Sequence, residues 1–345
     1  MEHTHTPHIL IIYTGGTIGM IENPETGALE NFDFEQFRHH VPELKRFNFQ
    51  IDALAFESPI DSSDMEPRYW IKMARIIAEH YESYDGFVLL HGTDTMAFTA
   101  SALSFMLENL AKPVIVTGSQ LPIGQLRTDG KENLLTSIEI AAARNAEGKP
   151  MVPEVCIFFE SKLMRGNRTT KISSEKFNAF KSYNYPSLAH SGIDIKFVPD
   201  RIRRSNGMPL KPHYLFDTNV VVLTLFPGIQ QRLIASVFHT PGLKAIVMKT
   251  FGSGNAPQKQ WLIDLIREAV EAGVVVVNIT QCQSGSVEMD RYETGRQLLE
   301  AGVVGGYDST PECALTKLMF LLGHQLPYEE VCRLMNTDLA GEITK

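Results

Sequence analysis

The apolar residues of this chain arrive in short runs rich in β-branched side chains, with stretches of helical periodicity between them. Ile9–Tyr13, Gln50–Phe56, Gly86–His91, Pro113–Thr117 and Val155–Phe159 have the length and composition of strands. Glu66–Glu82 carries Trp70, Met73, Ala74, Ile77 and Tyr81 at the spacing of one helix face. Thr95–Leu110 and Lys131–Asn145 read as helices as well. Strand and helix alternating in this way predict parallel strands joined by crossover helices. The run from Phe87 to His91 is apolar on both faces, as a sheet covered on both sides requires.

The pattern changes at residues 160–215, which are polar, punctuated by Pro and Gly, and carry a basic cluster at Arg201, Arg203 and Arg204. That cluster reads as solvated surface. Residues 196–216 are expected to link two domains. Beyond them Val220–Leu225, Ala245–Lys249 and Val274–Asn278 predict the strands of a second block. Gln258–Ala272 predicts a helix burying Trp261, Leu262, Leu265, Ile266 and Ala269, and Thr310 should N-cap another, with Pro311 in its first turn. The expected fold class is α/β, with two parallel-sheet domains: a larger one at 1–195 and a smaller one at 217–345. The length of 345 residues suits two domains.

Composition narrows the function. Lys and Arg number 32 against 40 Asp and Glu, a formal net charge of −8, which argues against a nucleic-acid protein built on a strongly basic face. No window approaches the ~18 continuous apolar residues of a membrane helix. The start of the chain lacks the basic region and cleavage site of a signal peptide. Cys156, Cys282, Cys313 and Cys332 form no C-x-x-C pair, so neither a zinc site nor a disulfide framework is expected, and a reducing cytoplasm is the expected compartment. His3, His5 and His8 read as part of a frayed terminus rather than a metal tract.

Polar residues gather where the predicted strands end, and open α/β sheets place their ligands at the carboxyl ends of strands. Thr14-Gly15-Gly16-Thr17-Ile18-Gly19 follows the first strand; its glycines fit neither G-x-G-x-x-G nor a P-loop, and a plain tight turn is an equal reading. His91-Gly92-Thr93-Asp94-Thr95 follows the third, where Thr93 or Asp94 would cap the next helix or display a hydroxyl and a carboxylate. Asp61-Ser62-Ser63-Asp64 precedes a helix, with Asp64 the simplest cap. Ser62 and Ser63 there suit a carboxylate ligand. Ser119 closes the fourth strand, and Lys171 follows the fifth. A desolvated lysine beside Thr and Asp can act as a base. No motif points to a metal, flavin, nicotinamide or nucleotide, so no cofactor is expected. The chemistry that fits is cofactor-free acyl transfer or hydrolysis on a small zwitterion.

TGGTIG at 14–19 and HGTDTM at 91–96 resemble the two signature motifs of bacterial-type L-asparaginases. DSSDM, ASALSFMLENLAKPVIVTGSQ, LRTDGKENLL, RGNRTTK, GSGNAP and NITQCQSG extend the resemblance from Ile9 to about Glu342. The DSSDM and RGNRTTK forms look like the cytoplasmic type I branch. The resemblance implies hydrolysis of L-asparagine to L-aspartate and ammonia through an acyl-enzyme. Thr14 matches the nucleophile. Thr93, Asp94 and Lys171 match a second catalytic group, and Asp94 also the holder of the substrate ammonium. Ser62 matches the carboxylate-binding serine, while Ser63 stands where many secreted members have glutamine. Ser119 matches a backbone carbonyl that meets the leaving amide. Asn255 matches a residue lent by a neighbouring subunit, since members are usually tetramers built from tight dimers.

One departure stands out. Members carry a tyrosine in the loop after the first threonine, whereas here the segment from Met20 to Glu30 has none. Glu22, Glu25 or a distant Tyr307 would have to take its part. That segment would still serve as a lid. Two other readings remain open. One is a glutaminase–asparaginase, because one methylene is worth only ~1–3 kcal/mol of discrimination. The other is a non-catalytic amino-acid-binding protein. The asparaginase-like subunit of a tRNA-dependent amidotransferase is disfavoured, since that subunit carries an extra N-terminal domain.

Overall fold

The computed structural model of the protein describes residues 6–19, 21–22, 29–30, 41–291 and 293–344, with backbone alone at 21–22 and 29–30. The chain divides into two compact units, Met1–Tyr214 and Leu215–Lys345. In the first, the apolar runs become the strands β1 (His8–Tyr13), β2 (Gln50–Ala55), β3 (Gly86–Leu90), β4 (Val114–Thr117) and β5 (Val155–Phe159). Three more follow, β6 (Lys162–Arg165), β7 (Ala189–Ser191) and β8 (Ile195–Phe197), completing an eight-stranded sheet in the order β8-β7-β6-β5-β4-β3-β1-β2.

From β2 to β5 neighbouring strands run parallel, as the alternating pattern predicts. Beyond β5 the sheet turns antiparallel. The cause is local: Glu160 adopts a left-handed φ of 47° and lets β6 fold straight back on β5. The sheet is therefore mixed rather than wholly parallel. Within 196–216 the chain stays paired to the first unit: β8 forms a sheet edge, and Lys211–Pro212 pairs antiparallel with Leu107–Glu108.

Among the described residues three α-helices accompany this sheet. α1 (Pro67–Glu79) buries Trp70, Met73, Ala74, Ile76 and Ile77. Tyr81, the last residue of the expected stripe, is buried too but lies in the turn beyond the helix end. α2 (Met96–Met106) packs on β4 and β5, and α3 (Gly130–Ala142) crosses β1, β3, β4 and β5. Alternate residues Ile9, Ile11 and Tyr13 of β1 join Leu134 and Ile138 of α3 in one core. Each such side chain is worth roughly 1.5–3 kcal/mol relative to exposure. α2 ends four residues before its expected limit at Leu110, because Leu107–Glu108 pairs as strand and Asn109 takes a φ of 64°.

The second unit holds a four-stranded parallel sheet of β9 (Val220–Thr224), β10 (Ala245–Thr250), β11 (Val275–Thr280) and β12 (Val304–Gly305), in chain order. Its helices are α4 (Gln231–Phe238), α5 (Gln260–Glu271), α6 (Glu293–Glu300), α7 (Pro311–Gly323) and α8 (Tyr328–Met335). α5 buries Leu262, Ile263, Leu265, Ile266 and Ala269, and Thr310 caps α7 by accepting a hydrogen bond from the Cys313 N–H (3.1 Å). Among the described residues no helix is long and apolar enough to cross a membrane.

Candidate active site

Register builds the site. Tyr13 pairs with Leu90, and Leu90 with Thr117. Thr14, His91 and Gly118 therefore leave the sheet at one level, and the loops they open share one rim. Thr14 is almost fully buried, at 1% exposure. Its N–H and its Oγ1 hydroxyl both donate to the Leu90 carbonyl at 3.0 Å. Its own carbonyl accepts from the Ile60 N–H at 2.9 Å, which ties the TGGT loop to the segment leading into Ser62.

The glycines of the two threonine motifs have a shared purpose. Gly16 has a φ of 88°, and a Cβ on it would lie 2.4 Å from the Gly92 nitrogen. A Cβ on Gly92 would lie 2.5 Å from Ser62 Oγ. The TGGT, HGTD and DSSD loops thus stack on one another, and both glycines are required for that approach. TGGT is a tight turn with left-handed glycines, and it stands on the same rim as HGTD.

Lys171 reaches this rim from the short strand Thr170–Lys171, which pairs with Phe180–Lys181. Its Nζ donates to Thr93 Oγ1 at 2.8 Å and to Asp94 Oδ1 at 2.6 Å. Thr93 in turn donates to Gln120 Oε1 at 3.4 Å, a long bond. Neither Thr93 nor Asp94 caps α2. Thr95 occupies that position without a side-chain cap bond, and its hydroxyl instead donates to the Ser62 carbonyl at 2.6 Å. Asp94 is left to face Lys171 with a side chain 62% exposed. The Lys171 side chain is 19% exposed, so the pair is open to water on the carboxylate side alone.

Ser62 is 4% exposed, and its Oγ accepts from the Asp94 N–H at 3.3 Å. Ser63 faces solvent, and both its N–H and its hydroxyl donate to Asp61 Oδ1 at 2.9 Å. Those two bonds hold the Asp61 carboxyl below its ordinary pKa and make Asp61 the cap of the short 3-10 turn Ser62–Asp64. The N-cap position of α1 falls to Glu66, without a side-chain bond, rather than to Asp64. Ser119 is buried, and its hydroxyl donates to the Leu121 carbonyl at 2.6 Å. The turn that carries it is held by Asp129, whose carboxylate accepts from the N–H groups of Gln120 (3.0 Å) and Leu121 (3.2 Å). Asn133 of α3 donates to the Gly118 carbonyl at 2.9 Å. Asp129 and Asn133 carry no strand-end pattern that singles them out in the sequence. A buried asparagine on an apolar helix was the available signal.

Tyr13 is the tyrosine adjacent to Thr14 in the chain. Its hydroxyl donates to the Gly16 carbonyl at 3.3 Å, and burial pushes its pKa up to about 12. It braces the loop as a neutral phenol. Glu25 and the Glu22 side chain lie outside the described residues, as does most of 20–30. Asn255 and Tyr307 belong to the second unit. There Asn255 Oδ1 accepts from Thr294 Oγ1 at 2.6 Å, and the Tyr307 carbonyl accepts from the Val287 N–H at 3.0 Å.

The first unit therefore presents two threonine hydroxyls, one beside a lysine–carboxylate pair, and a buried serine at one rim. Residues 8–203 match the family model described as "Asparaginase, N-terminal", and 219–335 match "Glutaminase/Asparaginase C-terminal domain". The chain belongs to the asparaginase family. Over 341 residues it is 44% identical to L-asparaginase 1 of Escherichia coli (strain K12), covering 97% of this chain and 98% of that one. The crystal structure of L-asparaginase I from Vibrio cholerae superposes with a TM-score of 0.90 at 42% identity, over 99% of this chain and 100% of that one. A glutamyl-tRNA(Gln) amidotransferase polypeptide of Pyrococcus horikoshii is 37% identical over 99% of this chain, which spans 77% of that polypeptide. Membership in the asparaginase family gives Lys171, Thr93 and Thr14 a common context. All three lie in the part of the chain matched by the N-terminal asparaginase model.

Proposed function

We propose that the protein is an L-asparaginase, hydrolysing L-asparagine to L-aspartate and ammonia through a threonine acyl-enzyme. The observation that carries this reading is Lys171 Nζ, 2.8 Å from Thr93 Oγ1 and 2.6 Å from Asp94 Oδ1. An unassisted threonine hydroxyl is a weak nucleophile and needs a neighbouring group to manage its proton. Thr14 leaves its hydrogen bond to Leu90 and attacks the side-chain amide carbon. The C–N bond breaks, ammonia departs with the proton Thr14 gave up, and water then cleaves the ester to free aspartate. Thr93 and Lys171 relay protons for these steps. Asp94 holds the substrate ammonium, Ser62 its carboxylate, with Ser63 at the edge of that contact, and the Ser119 carbonyl meets the leaving amide.

Charge developing on the tetrahedral oxygen needs donors already in place. The N–H groups of Gly15 and Thr93 donate to no acceptor among the described residues, which suits them to this part. Ammonia release from asparagine and glutamine, compared as kcat/KM, tests the reading. Release from neither would leave an amino-acid-binding protein. The "Glutaminase/Asparaginase" description of the C-terminal match favours a second reading, a broader glutaminase–asparaginase, and comparable turnover of both amides would establish it.

We further propose a cytoplasmic homo-oligomer, a tetramer assembled as a dimer of dimers, in which Asn255 completes a neighbour's site. The type I form of the DSSDM and RGNRTTK motifs supports the compartment. Light scattering of the purified protein tests the assembly, and a monomer with full activity would refute it.

A further inference from the structure

His91 is fully buried at the end of β3 and has no part in the chemistry above. Its surroundings fix its hydrogen-bonding state. Trp70 Nε1 can only donate, and it donates to Thr99 Oγ1 at 3.0 Å. Thr99 keeps its own proton to donate to His91 Nε2, 2.9 Å away, the direction that a carbonyl partner on Nδ1 requires. That leaves Nε2 the acceptor and Nδ1 the protonated nitrogen. Nδ1 lies 2.6 Å from the Gly92 carbonyl oxygen, which can only accept. Burial pulls the imidazole pKa down to about 4, so the ring is neutral at ordinary pH. The chain of donors runs in one direction: Trp70 to Thr99 to His91 to the Gly92 carbonyl.

That carbonyl belongs to the peptide whose N–H is Thr93's. Gly16 on one side and Ser62 on the other crowd Gly92 and so fix the Cα from which that peptide starts. They do not fix which way its dipole points, because a peptide flip exchanges C=O and N–H while moving the Cα atoms little. We propose that His91 is a positioning residue, whose Nδ1–H pins the Gly92 carbonyl so that the Thr93 N–H faces the reacting amide as an oxyanion donor. The same bond draws electron density toward the carbonyl oxygen and strengthens the N–H at the other end of the amide. The inference rests on the amidohydrolase reading and deepens it.

A crossed pair of variants tests it. In His91→Asn the side-chain amide nitrogen falls where Nδ1 was and keeps the bond to Gly92, while the contact with Thr99 is lost. In His91→Gln the amide reaches Thr99 and the bond to Gly92 is lost. Weakening one oxyanion donor predicts a ~10–100-fold fall in kcat for His91→Gln with KM within ~3-fold. The smaller His91→Asn should melt lower yet keep kcat within ~3-fold. A purely structural histidine would give the opposite order, so His91→Asn slower than His91→Gln, or His91→Gln at wild-type kcat, overturns the proposal. Should neither variant fold, the ring 15N spectrum of the wild-type protein decides. The Nδ1–H tautomer supports the proposal and the Nε2–H tautomer overturns it. A wild-type protein inactive on both amides removes the underlying reading instead, an outcome separate from the order of the variants.

Discussion

The backbones of Gly16 and Gly92 meet so closely that a methyl group on Gly16 would stand 2.4 Å from the Gly92 nitrogen and 2.5 Å from its Cα. Two loops almost eighty residues apart in the chain become one surface through this contact. Gly16→Ala should cost roughly 3 kcal/mol or more, combining a left-handed φ with overpacking against backbone. Urea unfolding would show the loss of stability, and ammonia release should fall with it. In Gly92→Ala the new methyl would stand 2.5 Å from Ser62 Oγ and 2.7 Å from Ser62 Cβ, so the Ser62 backbone must shift with its side chain. That variant should lose less stability than Gly16→Ala, because Gly92 has no left-handed φ, and should bind substrate poorly. A wild-type KM in Gly92→Ala would count against Ser62 as the carboxylate holder.

The pair of Lys171 and Asp94 makes the catalytic reading separable from stability. Lys171→Met removes both of the hydrogen bonds that Nζ donates. If Lys171 moves protons through Thr93, kcat should drop by ~10²–10⁴. Because Asp94 is largely exposed, the melting temperature should change little. Thr14→Ala and Thr93→Ala should abolish ammonia release while leaving the fold intact. Wild-type-like turnover in Thr93→Ala would sink the mechanism.

How much of this was legible depended on the range of the interaction. The strands of the parallel half are runs of β-branched residues, and local pattern marks them within a residue or two. The strands Ala189–Ser191 and Ile195–Phe197 are short and mixed in polarity, and only pairing makes them strands. Thr14, Thr93 and Lys171 stood out because hydroxyls and a lysine gathered at predicted strand ends. Asp129 and His91 did not. An aspartate at a helix start and a histidine at a strand end are common in any α/β chain, and their importance appears only once burial and partners are known. The cap assigned to Thr93 or Asp94 went to Thr95 for the same reason: a tertiary bond to the Ser62 carbonyl overrode local preference.

Asp129 offers a test of the Ser119 turn. Its carboxylate accepts from two successive N–H groups and from Asn133 Nδ2 (3.3 Å), and burial raises its pKa against the opposing pull of those bonds. Asp129→Asn turns one acceptor into a donor facing an N–H. The buried mismatch should cost ~1–3 kcal/mol. It should also raise KM by shifting the Ser119 carbonyl and Gln120, whose Oε1 meets Thr93. Denaturant unfolding and steady-state kinetics on one preparation check both. A variant with lowered stability and an unchanged KM would separate the turn from substrate binding.

The second unit contains a pair of the opposite kind from Lys171 and Asp94. Lys317 of α7 and Glu342 near the C-terminus are 1% and 0% exposed, and Lys317 also donates to the Thr337 carbonyl at 2.7 Å. Burial pushes the Glu342 carboxyl up, but the Lys317 charge and the N–H groups of Leu339 and Ala340 overcome this and hold its pKa below the ordinary 4.5. A carboxylate depressed in the folded state stabilises fully above its unfolded value and loses that contribution as pH falls through the folded one. Stability of the second unit should therefore decline below about pH 4.5 in part through this group. Glu342→Gln leaves a buried ammonium without its counterion and should cost ~3–5 kcal/mol at neutral pH. The same variant should flatten the acid limb of the stability curve. Replacing both partners by apolar residues should restore much of the loss, because the desolvation cost goes with the charges. Thermal melts of the single and double variants between about pH 3 and 8 would show this, and a single variant as stable as wild type would refute it.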